Sequence, residues 1–403
     1  MKTKLTALLI LLLVVQLACR ASAQRSAATN TAAVPEKYQG LYDHLNQNLD
    51  TDLAAVKPDP GAGHHATTFA AELIVADDNR GEDLLRPETL PAVKLYLDRL
   101  QAMGIRGVKN AIQFPFFTPS FPRYNEYLDF YRQVADEIQR RGMTWTIQAS
   151  ILFANTPFSP VTYDFSKLTF DSYKQQDRAM IETILREFKP DYLVVVAEPD
   201  TAAKLTGLRE FNDAQKTVEL VNYLLDGLDR GSSKICAGTG TWTPPSFTRL
   251  LDEQTKIDCV SIHIYPIDTQ FIQNALTMAN DAHANGKSVI VSEAWLYKTD
   301  QPGAGGSIAS DADIFKLDNY SFWSPLDQKF IQLMADFADK TGVDFVSLFW
   351  SPFLFSYVDY SARLESAPYS EVRQQANSAS FEALSRGELS PIGLYYQTLI
   401  NSR

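Results

Sequence analysis

From about Thr67 onward, short runs of β-forming residues alternate with longer stretches of helical periodicity, and this alternation constrains the chain more than any other feature. Strands joined by helical crossovers pair in parallel. The β-rich runs fall at 67–76, 107–114, 144–152, 192–197, 234–241, 259–265, 288–292 and 345–350, which makes eight. Helical periodicity fills 88–103, 125–141, 172–188, 213–228, 269–284 and 325–340 between them. Gly104, Gly142, Gly286 and Gly342 each follow a helical stretch and precede a strand, where a left-handed C-cap is needed.

Eight β-then-α units predict a (β/α)₈ TIM barrel spanning residues 61–403, with the length beyond the ~250 residues typical of that fold taken up by loops after strands four, seven and eight. The competing doubly wound sheet requires a Gly-x-Gly-x-x-Gly turn after its first strand. Gly238-Thr239-Gly240 lies on strand five and lacks the third glycine.

The N-terminus reads as an export signal over residues 1–23. Lys2 and Lys4 precede an apolar run from Leu5 to Ala18, and Ala21-Ser22-Ala23 offers a small-residue cleavage pattern. Cleavage there removes Lys2, Lys4 and Arg20, which takes the formal charge from -11 to -14. Leu17-Ala18-Cys19 gives a second reading, a lipid anchor at Cys19. Residues 24–60 read as a linker or short helical extension outside the main fold. No later run is long and apolar enough to span a membrane, so a secreted, periplasmic or cell-surface protein is expected. Its acid excess disfavours nucleic acid as partner and points to a neutral ligand. Cys236 and Cys259, the other thiols, lie in apolar strand-like runs and are expected to be buried and unpaired.

In a barrel of this kind the site forms at the C-terminal strand ends. Strand four ends Val196-Ala197-Glu198 and strand seven ends Ser292-Glu293-Ala294-Trp295, so two acids stand at the rim on opposite sides of the mouth. Hydrolysis of a glycosidic bond uses such a pair, one carboxylic acid to protonate the departing oxygen and one carboxylate to attack or stabilise the sugar carbon. On strand six, His263 and Tyr265 share a face, and the phenol is placed to hydrogen-bond a carboxylate. Trp242, Trp295 and Trp350 are expected to stack on the flat faces of sugars.

Together these residues resemble the clan A retaining glycoside hydrolases, and the likeness covers most of residues 67–401. The resemblance implies Glu198 as acid/base, Glu293 as nucleophile, His263 and Tyr265 beside the sugar, and Trp350 as a platform. It implies no cofactor and no metal. Lys109 stands where that clan usually has Arg, and Ala197 where it usually has Asn. Those two departures motivate a second reading, a catalytically silent barrel that binds carbohydrate. A metal-dependent hydrolase is a third, but the chain has five His and no His-x-His on strand one. Asp311-Ala312-Asp313 is expected to be a solvated loop. The insertion 298–324, with Pro302-Gly303-Ala304-Gly305-Gly306, reads as a lid.

Overall fold

Eight parallel strands close into one barrel in chain order in the computed structural model, which describes residues 33–58, 61, 63–300 and 308–403. They are β1 (Thr68–Glu72), β2 (Gly107–Ala111), β3 (Thr144–Gln148), β4 (Tyr192–Val196), β5 (Lys234–Gly240), β6 (Cys259–Ile264), β7 (Ser288–Ala294) and β8 (Phe345–Leu348). β1 pairs with β8, with Ala70 opposite Ser347, and this closes the ring. The export signal, Cys19 and Gly303 to Gly306 lie outside the described residues.

Crossover helices follow the expected order. They are α2 (Thr89–Ala102), α3 (Tyr124–Arg140), α4 (Phe170–Glu187), α6 (Ala214–Leu225), α7 (Pro245–Gln254), α8 (Thr269–Ala284) and α10 (Ser324–Thr341), with a short α5 (Pro199–Thr206) directly after β4. Local chemistry fixes their ends. Thr169 and Ser172 form a capping box on α4, and the Asp213 and Asp268 side chains accept from first-turn amides of α6 and α8. Gly342 ends α10 at φ 70°, the left-handed conformation that a Cβ would penalise.

Strands β1, β2, β3 and β8 stop earlier than their apolar runs do. Ile112, Phe114, Ile151 and Leu152 continue those runs in loops but are fully buried, because loops at the barrel mouth pack on one another. β7 runs the other way, two residues past Ser292, and so includes Glu293.

The helical extension before the barrel is α1 (Glu36–Ala55), and it packs on the outer layer instead of standing apart. Tyr42 stacks on Trp323 with centroids 5.9 Å apart, Leu45 and Leu49 are fully buried, and Asn48 donates to the Ile267 carbonyl at 2.9 Å. After β7 and β8 come α9 (Ile308–Leu317), α11 (Ala362–Ser366), α12 (Tyr369–Arg386) and α13 (Pro391–Asn401). No described helix is long and apolar enough to cross a membrane.

The thiol expectation fails. Cys236 and Cys259 are buried but joined in a disulfide. They are register partners on β5 and β6, with Cα atoms 4.6 Å apart. Two cysteines at paired positions on adjacent strands are brought within bonding range by the sheet itself. They sit in the barrel interior with Ala70, Val194, Ile290 and Phe345.

Candidate active site

The barrel interior turns from apolar to polar as it rises, because residues two further along each strand face the same way. Above Ala70 stands Glu72, above Cys259 stands Ser261, and above Ile290 stands Ser292. Strict alternation would then aim Glu293 outward. The β6–β7 register shifts between Ile262 and His263, and the β7–β8 register between Val291 and Ala294, so the end of β7 breaks step. Ser292 and Glu293 both make interior contacts as a result.

Glu293 is held by two donors. Tyr265 donates its phenol proton to Oε1, and Lys109 Nζ lies 3.1 Å from Oε2. Lys109 also lies 3.0 Å from Glu72, and all three side chains are buried. Burial pushes the Glu293 carboxyl up, but the charge of Lys109, the His263 imidazole and the Tyr265 hydrogen bond outweigh it and hold the group below the ordinary Glu range. Burial lifts the Glu72 carboxyl well above its ordinary range, only partly offset by Lys109. Glu293 in turn adds to burial in pushing the Tyr265 phenol well up, so the phenol keeps its proton.

Glu198 is held differently. It follows Ala197 at the N-terminus of α5, and its Oε2 accepts from Thr201 at 2.7 Å. Oε1 lies 2.7 Å from Nδ1 of His263. A carboxylate at Nδ1 places the imidazole proton there. Nε2 lies 3.0 Å from the Ser292 hydroxyl, which lies 2.6 Å from Ser261. His263 is fully buried behind Glu198 and does not face the cleft, so its expected contact with sugar is replaced by one with the carboxylate.

One ligating atom each from Glu198, His263 and Glu293 falls within 4.8 Å of the others. Both oxygens of each carboxylate and both ring nitrogens already have protein partners, so this trio is a finished hydrogen-bond network.

A cleft of about 1220 Å³ lies over the two acids. Trp242 lines it, stacked on Tyr265 with centroids 5.2 Å apart and donating to Asp200 at 3.0 Å. Its ring lies where a Cβ on Gly240 would sit, which ties this tryptophan to the glycine before the loop. Trp350 lines the β8 side. Trp295 does not line the cleft. It is fully buried against Phe330 and Phe353, because the backbone after Glu293 turns the ring into the packing behind the mouth.

Other residues complete the site. Glu72 closes the run Phe69-Ala70-Ala71 as the other acids close theirs, and it lies buried on Lys109 without lining the cleft. Gln113, Gln148, Arg80 and Arg373 reach the cleft from loops, a strand end and α12, where periodicity is silent. Asp311, expected in solvent, lines the cleft from α9, and burial pushes its carboxyl up to about 6.

Comparison with known proteins reinforces the fold. No family model matches the chain, and no curated protein matches it. Among solved structures, GH5_18 from Bifidobacterium longum subsp. longum superposes with a TM-score of 0.53 at 13% identity, over 84% of this chain and 79% of that one. A variant of it in complex with Manb1-4GlcNAc gives 0.51 at 13% identity, over 83% and 78%. A GH5_18 variant from Streptomyces cattleya, also in complex with Manb1-4GlcNAc, gives 0.51 at 12% identity, over 83% and 80%. At these identities the likeness is one of architecture, and the chain has the closed (β/α)₈ barrel that those glycoside hydrolases have.

Proposed function

We propose that the protein is a retaining glycoside hydrolase that cleaves β-glycosidic bonds of a poly- or oligosaccharide, with Glu293 as nucleophile and Glu198 as acid/base. The observation that carries this reading is that the two carboxylates approach within 4.8 Å yet have opposite supports, a lysine and a phenol for Glu293, an imidazole and a hydroxyl for Glu198. Direct attack needs carboxyl groups only about 5 to 5.5 Å apart, whereas inversion leaves room for a water between them.

In the first step an oxygen of Glu293 bonds to the anomeric carbon while Glu198 gives its proton to the departing glycosidic oxygen. The leaving group therefore lies on the Glu198 and Trp242 side, and the sugar that stays bound lies toward β8 and β1. In the second step Glu198 takes a proton from water, whose oxygen displaces Glu293 from the anomeric carbon. Lys109 and Tyr265 stabilise the carboxylate that leaves. Ala197 offers no hydroxyl contact, and Gln148, whose buried Oε1 has no hydrogen-bond partner, is placed to accept from the sugar instead.

The experiment is covalent trapping. A 2-deoxy-2-fluoro aryl β-glycoside matched to the substrate should add one glycosyl mass to Glu293, and Glu293→Gln should abolish both labelling and turnover. The silent-barrel reading predicts glycan binding with no adduct. Full turnover by Glu293→Gln would overturn the assignment.

Export is also part of this reading. It rests on the basic, then apolar, N-terminal sequence and is supported by the Cys236–Cys259 disulfide, which belongs to oxidising compartments. Signal cleavage before Gln24 and lipidation at Cys19 are separated by the mass of the mature N-terminus.

A further inference from the structure

The acid excess of the chain points to a neutral ligand, yet one wall of the cleft carries cations without counter-ions. Arg80 lies in the 3₁₀ segment after β1 and Arg373 on α12, and both line the cleft on the side where β8 meets β1. Among the described residues neither has an ion pair within 4.0 Å. The acids nearest Arg80 are otherwise occupied. Asp83 pairs with Arg86 at 2.7 Å, and Asp77 accepts from the backbone and side-chain amides of Asn79, each at 2.9 Å.

Arg373 is fixed in place without being neutralised. Its guanidinium lies 5.8 Å from the Trp350 ring and 5.7 Å from the Tyr369 ring, and it donates to the Tyr369 hydroxyl at 2.7 Å. Arg80 has a buried Nε with no hydrogen-bond partner. Burial depresses its affinity for a proton, Asp83 and then Asp77 offset this only in part, and the charges of Arg373 and Arg86 add to it. Two partly buried guanidiniums facing one space are costly to hold apart from anions, and a planar fork of donors matches a carboxylate or sulfate.

We propose that the cleft holds, on its β8–β1 side, a subsite for an anionic sugar, in which a carboxylate or ester sulfate sits between Arg80 and Arg373 while the sugar ring packs on Trp350. This rests on the carbohydrate reading above and names the class of glycan it takes. The anion falls on the part of the substrate that stays bound after the first bond is broken, since the leaving group lies toward Glu198.

The test uses the full chain carrying Glu293→Gln, so that glycans are bound and not consumed. A glycan array holds matched neutral, uronic acid and sulfated members of gluco, galacto, manno and xylo series. The expected result is that the tightest ligands are acidic, about tenfold or more over their neutral partners, with a preference that falls as salt rises. The uronic and sulfated arms show which anion is taken. Adding Arg80→Gln or Arg373→Gln should bring the acidic-to-neutral ratio toward one, and Arg80→Lys or Arg373→Lys should restore part of it. Thermal unfolding confirms that each variant is folded.

A neutral best ligand, no retained acidic glycan, or an equal loss for acidic and neutral members in the arginine variants overturns the subsite. Turnover by the unmodified protein is scored separately. Acidic glycan bound through the arginines with no hydrolysis keeps the subsite and overturns the glycosidase. Hydrolysis of a neutral glycan with no acidic preference does the reverse.

Discussion

Lys109 and Glu293 form a buried ion pair across the barrel, from β2 to β7, with 3.1 Å between Nζ and Oε2. Removing the cation leaves a buried carboxylate without its strongest compensating charge. Lys109→Met is expected to lower kcat/KM by on the order of 10²- to 10³-fold. It should also move the acidic limb of the pH profile upward, because burial then dominates the Glu293 carboxyl. An unmoved limb would remove Lys109 from this role.

Tyr265→Phe takes away the other donor on Glu293 and keeps the ring that stacks on Trp242. A fall in kcat of roughly tenfold to a hundredfold is expected, with a smaller upward move of the acidic limb. The unmodified protein should hold its activity to a pH below the ordinary Glu value of about 4.3. The stability linkage has the same sign. A carboxyl with a depressed folded pKa stabilises above its unfolded pKa, and that contribution is lost as pH falls through the folded value.

Ser292 touches neither cleft nor sugar and acts through His263, so it is a positioning residue. Ser292→Ala frees Nε2 and loosens the imidazole behind Glu198. A several-fold fall in kcat with little change in KM is expected. Ser292→Thr should recover part of the rate, and a change in KM alone would argue for a purely structural place.

Asp52 on α1 is buried with both carboxyl oxygens unpartnered, and burial first, then Asp268, pushes it up to about 7. The folded form then binds more protons than the unfolded chain between about pH 4 and 7, so stability falls as pH rises through that window. Asp52→Asn should remove this slope. The expected gain is on the order of 1 to 2 kcal/mol at pH 8, vanishing near pH 4, as read by chemical denaturation.

The disulfide closes a loop of 23 residues. Cys236→Ser with Cys259→Ser should cost about 3 kcal/mol by the chain-entropy account. In the native protein the bond is buried, so a thiol reagent should label neither cysteine until the chain is denatured and reduced. Labelling without reductant would overturn the pairing.

The eight-fold β-then-α order, the helix caps and the positions of Glu198 and Glu293 were legible because they depend on periods of two and 3.6 and on residues at element ends. Local physics suffices for those. Trp295 looked like a platform by its nearness in sequence to Glu293, and the bulged end of β7 sent it into the core. Tyr265, just past the end of β6, and Lys109 both reach Glu293, whereas His263, expected beside the sugar, lies behind Glu198, a placement that depends on where β4 stands around the ring.

By itself the sequence determined the number of strands, their parallel order and the acids at the rim, since each follows from neighbours along the chain. Only the closed barrel decided the rest. Closure brought Cys236 to Cys259, laid Lys109 between Glu72 and Glu293, and set Arg80 and Trp350 on one cleft. Those partners are separated by tens to hundreds of residues, and their meeting is fixed by register and strand order, which no local pattern encodes.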